Sequence, residues 1–179
     1  MSGVPTQPNL PTGVASFNDQ LAAFQHGSCW LGDGGFGSKA DITAEDMATQ
    51  AAYRTFLEGA FSEISDLGEN PGKESSTVVK LKTSNYVVEG KRTNTIELTL
   101  IGLNQERKDW LESELNKEIR TIILLSADEA SSLVFSGMRW TYERESELNG
   151  LYTATISTEY SGPTKKRYFI IKDIPVTAT

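Results

Sequence analysis

Cysteine and histidine each occur once in this chain of 179 residues, as Cys29 and His26. One cysteine closes no internal disulfide, which fits a reducing compartment. Positive charge is also scarce: 17 lysines and arginines face 24 aspartates and glutamates, for a formal net charge of −7. Tight binding to nucleic acid draws on lysine and arginine releasing phosphate counterions, so a DNA-gripping surface is disfavoured. A negative surface past which DNA slides without sticking remains compatible with this balance. No apolar run approaches the roughly 20 residues of a membrane-spanning helix. The N-terminal MSGVPTQPNLPTG has neither the basic nor the apolar region of a signal peptide. The expectation is a protein made and kept in the cytoplasm, or in something assembled there.

What is present is an ordinary globular composition, 38% hydrophobic and 23% charged. A chain of this length is most simply one domain, able to bury roughly 68–70% of its unfolded surface. Pro5, Pro8 and Pro11 punctuate an N-terminal segment without apolar period. Residues 1–14 therefore read as an extended arm, 15–174 as the domain and 175–179 as a C-terminal tail.

The period of the apolar residues assigns the elements. FNDQLAAF, Phe17 to Phe24, suits a short helix. Ile42 to Ile64 predicts the best helix, with Thr43 capping through Asp46 and Ile42 and Met47 as a hydrophobic staple. Tyr53, Phe56, Leu57, Ala60, Phe61 and Ile64 share its apolar face. DLGENPGKESS, Asp66 to Ser76, predicts a polar projecting loop. From Ser76 the period becomes two. STVVKLKT, Tyr86 to Val88, and TIELTLI after an EGKRTN turn predict strands. A second helix follows, capped by Asn104, with Trp110, Leu111 and Leu115 on its buried side. IRTIILL, LVFSGMRWTYE, LYTATISTEY and KRYFIIKDI complete about seven strands, with Asn149-Gly150 as a tight hairpin turn. The fold class expected is α+β, mainly antiparallel β, a sandwich or curled sheet with one or two flanking helices.

The stretch HGSCWLGDGGFGSKAD, His26 to Asp41, is the one place that invites a chemical reading. Gly32, Gly34 and Gly37 match GxGxxG, yet the dinucleotide fingerprint needs a buried strand before the glycines and a helix starting at the last. No buried strand is expected before Gly32, and the capped helix begins too late. Gly32 to Gly37 also has the outer spacing of a phosphate loop, but Ser38-Lys39 reverses the lysine-then-hydroxyl order that loop requires. His26 and Cys29 could form a base and nucleophile, with no second histidine to orient them. As metal ligands they would need two more partners, and Asp33 and Asp41 are the only nearby carboxylates. The structural alternative is that Cys29, Trp30, Leu31 and Phe36 pin a sharply turning loop to the core.

Elsewhere no catalytic constellation emerges. Glu143, Glu145 and Glu147 read as a solvated hairpin tip, and Lys165, Lys166 and Arg167 as a strand entrance. Lys108 and Glu112 sit one helical turn apart for weak pairing. No catalytic, cofactor-binding or metal residues are assigned, no cofactor is expected, and an enzyme is not the expectation. A small enzyme using His26 and Cys29 is the least favoured reading.

The run STVVKLKTSNYVVEGKRTNTIELTLIGLNQERKDWLESELNKE, followed by LVFSGMRWTYERESELNGLYTATISTEYSG, resembles the layout of bacteriophage tail tube (major tail) proteins. Paired strands lead to a short helix after TIELTLIGL, then a long hairpin and a closing strand. The resemblance spans Ser76 to Ile174 and is one of pattern. It implies a β-sandwich flanked by a helix, assembled through the chain's own copies into stacked rings, expected to be hexameric. The tube would let DNA pass and would meet other tail proteins, in a virion assembled in the host cytoplasm, with no membrane partner. The arm Met1 to Val14, the loop Asp66 to Ser76 and the tail Pro175 to Thr179 would bridge subunits. The alternative is another virion component, a tail terminator or capsid decoration protein.

Overall fold

The computed structural model describes residues 21–34, 42–82, 87–117, 119–161 and 168–177. Among these residues eight strands form one antiparallel sheet and two helices flank it. In chain order the elements are β1 (Ser28–Asp33), α1 (Gln50–Ala60), β2 (Phe61–Lys82), β3 (Val87–Leu103), α2 (Gln105–Lys117), β4 (Arg120–Leu125), β5 (Ser132–Met138), β6 (Trp140–Leu148), β7 (Leu151–Ser161) and β8 (Tyr168–Ile171). The order across the sheet is β6-β7-β3-β2-β1-β4-β5-β8. The mainly antiparallel α+β architecture expected from the period-two runs is the one observed.

β2 organises the whole. Its first residues, Phe61 to Asp66, pair with β1, and from Asp66 onward it pairs with β3 instead. The register slips between Leu67 and Gly72 as the strand leaves one half of the sheet for the other. Strands that change partners at a bulge make the corners of curled sheets. Here the bend brings β1, β4 and β5 over β3, β6 and β7. Cys29, Leu31, Ile122, Leu124, Leu133 and Phe135 share one buried cluster with Ile96, Leu98, Leu100, Trp140, Ala154 and Ile156. Phe135 meets Trp140 edge-on, with ring centroids 5.6 Å apart. Leu111 and Leu115 of α2 join this cluster. The opposite face of the β1-β4-β5-β8 half carries Trp30, Ile123, Val134 and Ile171, which α1 covers with Tyr53 and Leu57.

Several expectations fail at element boundaries. The helix predicted over Ile42–Ile64 is shorter, Gln50–Ala60, and Thr49 caps it by accepting from the Ala52 N–H at 3.0 Å. Thr43 and Asp46 do form the reciprocal capping contacts, but these close a turn before the helix. Phe61 is extended, at φ −129° and ψ 160°. Phe61 and Ile64 fit a helical face in sequence, yet here they bury in separate clusters from a strand. Pairing with β1 overrides the local helical period.

The projecting loop predicted for Asp66–Ser76 is instead part of β2. Gly72 permits this, since a Cβ there would lie 2.3 Å from the Glu97 carbonyl oxygen. The EGKRTN turn is likewise continuous strand in β3. LVFSGMRWTYE, read as one strand, breaks at Arg139 into β5 and β6, just after Gly137 at φ +58°. The Asn149-Gly150 hairpin stands as expected, with both residues at positive φ, 54° and 77°. Asn104 caps α2 by accepting from the Arg107 N–H at 2.8 Å. Trp110, expected inside, is 40% exposed. The arm 1–14 and the first half of FNDQLAAF, residues 17–20, lie outside the described residues; of the second half, Leu21 and Ala22 are helical and Leu21 and Phe24 are buried. The tail begins tied to its own chain, where the Pro175 carbonyl accepts from the Gln50 N–H at 2.8 Å.

Candidate functional site

His26 to Gly34 is not the loop that its glycines suggest. It runs into β1, a strand with ladders on both sides, to β2 and to β4. A buried strand therefore does precede Gly32, contrary to expectation, but it is antiparallel to both neighbours. A dinucleotide site needs a parallel βαβ unit at that point. The glycines serve packing: a Cβ on Gly27 would lie 2.0 Å from the Leu125 carbonyl oxygen, and one on Gly32 would lie 2.3 Å from the Phe61 ring. Phe36, Gly37, Ser38, Lys39 and Asp41 lie outside the described residues.

The same strand separates the two reactive residues. Cys29 is fully buried in the larger cluster, and burial pushes its thiol well above the usual range, away from the thiolate a nucleophile needs. His26 is exposed, at a left-handed φ of 57° before the strand begins. Cys29, Trp30 and Leu31 are buried as the structural alternative required, on alternating faces of a strand. Among the described residues no group of three or more histidine, cysteine, aspartate or glutamate side chains could hold a metal ion. Asp33 accepts instead from Arg120 at 2.6 Å, and Arg120 also donates to Glu114 at 2.8 Å. This ion-pair network ties α2 to β1 and β4.

The other carboxylates singled out in the sequence sit on β6. Glu143 accepts from the Ser157 hydroxyl at 2.6 Å, and Glu147 accepts from the Gly150 N–H at 3.3 Å. Glu145 pairs with Lys108 at 2.9 Å, so Lys108 bridges elements and does not pair with Glu112 as expected. Glu145 also accepts from Tyr142 at 3.1 Å. Burial and that contact raise the Tyr142 hydroxyl above its ordinary range. The residues are held apart by separate partners, and no acid and base face one another across a cleft.

The feature that sequence reasoning missed is a sheet face. On the half built from β6, β7, β3 and β2, Ile96, Leu98, Leu100, Ala154 and Ile156 point into the core. The alternate positions are polar, and Asn70, Lys73, Glu97, Thr99, Ser146, Thr153 and Thr155 line a groove of about 530 Å³. Lys73 and Glu97 pair across it at 3.1 Å. Both described helices place their buried residues in the two apolar clusters, so neither covers this face. The alternation in TIELTLI and LYTATISTEY was legible and its apolar side is the one in the core, but which face would line a lumen was not.

That half-sheet has two long edges. Beyond Asp66, β2 has a ladder on the β3 side only, and β6 has one on the β7 side only, among the described residues. Three antiparallel steps separate the two edge strands, so they run in opposite directions. β6 carries Glu143, Glu145 and Glu147 against Arg144, while β2 beyond Asp66 carries Glu69 and Glu74 against Lys73, Lys80 and Lys82. No family model matches the chain, and no curated protein matches it. No helix is long and apolar enough to cross a membrane, among the described residues.

Proposed function

We propose that this protein is a self-assembling structural subunit that closes into rings and stacks into a tube, the role its layout shares with phage tail tube proteins. The single observation carrying the reading is the four-stranded half-sheet whose two edge strands, among the described residues, carry no outer ladder and run in opposite directions. Setting β6 of one copy beside β2 of the next continues the antiparallel alternation without a break. Such a contact is heterologous, and heterologous contacts close into rings when the rotation permits. Strand addition supplies backbone hydrogen bonds along the seam.

Closure sets a size. Six copies contribute about 24 strands, and at ~4.8 Å between strands tilted by ~35–45° the backbone circle is roughly 45–52 Å across. Side chains reaching ~5 Å inward, half a sheet-packing distance, leave a bore of roughly 35–42 Å. The hydroxyl-rich face of Thr99, Thr153 and Thr155 would form the lumen wall, and the apolar core would stay outside it. Hydroxyls and few unpaired cations give DNA little to hold during passage, as does a net charge of −7. The ring would be a virion part assembled in the host cytoplasm, joined at its ends by other tail proteins.

Negative-stain microscopy of the purified chain tests this. Rings, alone or in stacks, are the expected result. A species that stays monomeric at every concentration and salt condition would overturn it. Single closed rings that never stack would favour the terminator reading.

A further inference from the structure

Asn149-Gly150 is the one asparagine–glycine pair in the chain, and it makes the turn between β6 and β7. The turn calls for that pair. Leu148 and Leu151 are register partners, and the two residues between them both stand at positive φ, 54° and 77°. The same pair is chemically vulnerable, because the Gly150 nitrogen can close a succinimide ring on Cγ of the Asn149 side chain. Nothing hinders that closure sterically: even a Cβ on Gly150 would meet no atom within 4 Å. Both residues are exposed, so hydroxide and water reach them.

The reaction begins when hydroxide takes the Gly150 amide proton. The nitrogen anion then bonds to Asn149 Cγ, the bond from Cγ to the side-chain amide nitrogen breaks, and that nitrogen takes a proton from water and leaves as ammonia. Water next adds to either imide carbonyl and the corresponding C–N bond breaks, giving aspartate or isoaspartate. One contact opposes the first step. Glu147, held on β6 opposite Tyr152 of β7, accepts from the Gly150 N–H at 3.3 Å. That is the proton hydroxide must remove. A hydrogen bond to the neutral N–H favours the protonated form, and a carboxylate beside the nitrogen disfavours its anion.

We propose that Asn149-Gly150 is a latent deamidation site and that Glu147 guards it. Conversion to aspartate sets a second carboxylate beside Glu147. Isoaspartate inserts a methylene into the main chain, which a two-residue turn does not absorb, so the Leu148–Leu151 pairing opens. The turn thus carries a chemical clock at one end of the β6–β7 hairpin, and neither the site nor its guard depends on ring formation.

Peptide mapping of the full chain, incubated in mildly alkaline buffer, reads conversion of Asn149 against time. Glu147→Gln keeps an acceptor and removes the charge, whereas Glu147→Ala removes both. Conversion is expected to be slowest in wild type, roughly fivefold faster in Glu147→Gln, the effect of one unit charge ~4 Å away in water, and faster again in Glu147→Ala. Salt separates charge from a mere loosening of the turn. Raising ionic strength from about 0.01 M to about 1 M should speed the wild type toward the Glu147→Gln rate and leave Glu147→Gln itself unchanged. Circular dichroism checks that each variant keeps its fold, as expected for an exposed position. Equal rates in wild type and both variants would overturn the guard, as would a salt response shared by wild type and Glu147→Gln. Wild-type conversion as fast in the folded chain as in urea would overturn the latency.

Discussion

Whether Cys29 reacts or packs decides what the opening stretch is for, and the two roles differ by orders of magnitude. The side chain is 0% exposed, on a strand with ladders to β2 and β4, so a reagent reaches it only when β1 comes away from its neighbours. Domains resist global opening by about 5–15 kcal/mol. Taking the low end, at about 1.4 kcal/mol per decade, native labelling by a disulfide reagent should run over a thousandfold slower than in denaturant. Cys29→Ser keeps the shape but sets a hydroxyl among Leu31, Ile122 and Leu124, at a cost of about 1–3 kcal/mol. With a urea slope near 2 kcal/mol/M, the unfolding midpoint of dilute, unassembled protein should fall by about 1 M. Labelling within tenfold of the denatured rate, together with an unchanged midpoint in Cys29→Ser, would refute the packing argument.

The glycines give opposite predictions according to their surroundings. Gly27→Ala drives a methyl to 2.0 Å from the Leu125 carbonyl oxygen, which must part β1 from β4. At about 1–3 kcal/mol for overpacking, the melting temperature should fall by roughly 2–12 °C, and no change would contradict the close approach. Gly59→Ala meets nothing within 4 Å in the last turn of α1. It should stabilise by about 0.5–1 kcal/mol, and a fall in melting temperature would contradict the helix boundary. Tyr53 donates to Ser132 at 2.8 Å, and burial raises its hydroxyl to about 12. Because the folded value lies above the unfolded one, its stabilisation is intact below pH 10 and is lost between about pH 10 and 12. Tyr53→Phe should flatten that alkaline loss in urea titrations while costing about 1 kcal/mol at neutral pH; an unaltered alkaline slope would contradict the burial.

Legibility followed the range of the forces involved. Local signals held: Asn149-Gly150 needs positive φ, Asn104 offers a side-chain acceptor, and LYTATISTEY alternates because one face of β7 is buried. The errors lie where distant pairing outweighs local preference. FLEGAFSEI continues a helical period to Ile64, but Phe61 to Ser65 meet β1, and the ladder prevails. GENPG reads as a loop by composition, yet it is the bulge that follows directly after β2 changes partners at Asp66. β1 was hidden because a six-residue strand packed on both faces shows no alternation. The candidate face and its edges were invisible for a different reason. An edge is defined by which strand is missing beside it, and sequence alone does not report strand order.

Electron microscopy of particles assembled from the purified wild-type chain, at a resolution that separates strands, tests the central claim most directly. The account expects a closed antiparallel barrel in which β6 of each subunit adjoins β2 of the next, with Thr99, Thr153 and Thr155 facing the bore. Particles joined through other surfaces, with β6 and the lysine-bearing edge of β2 both left open, would contradict it.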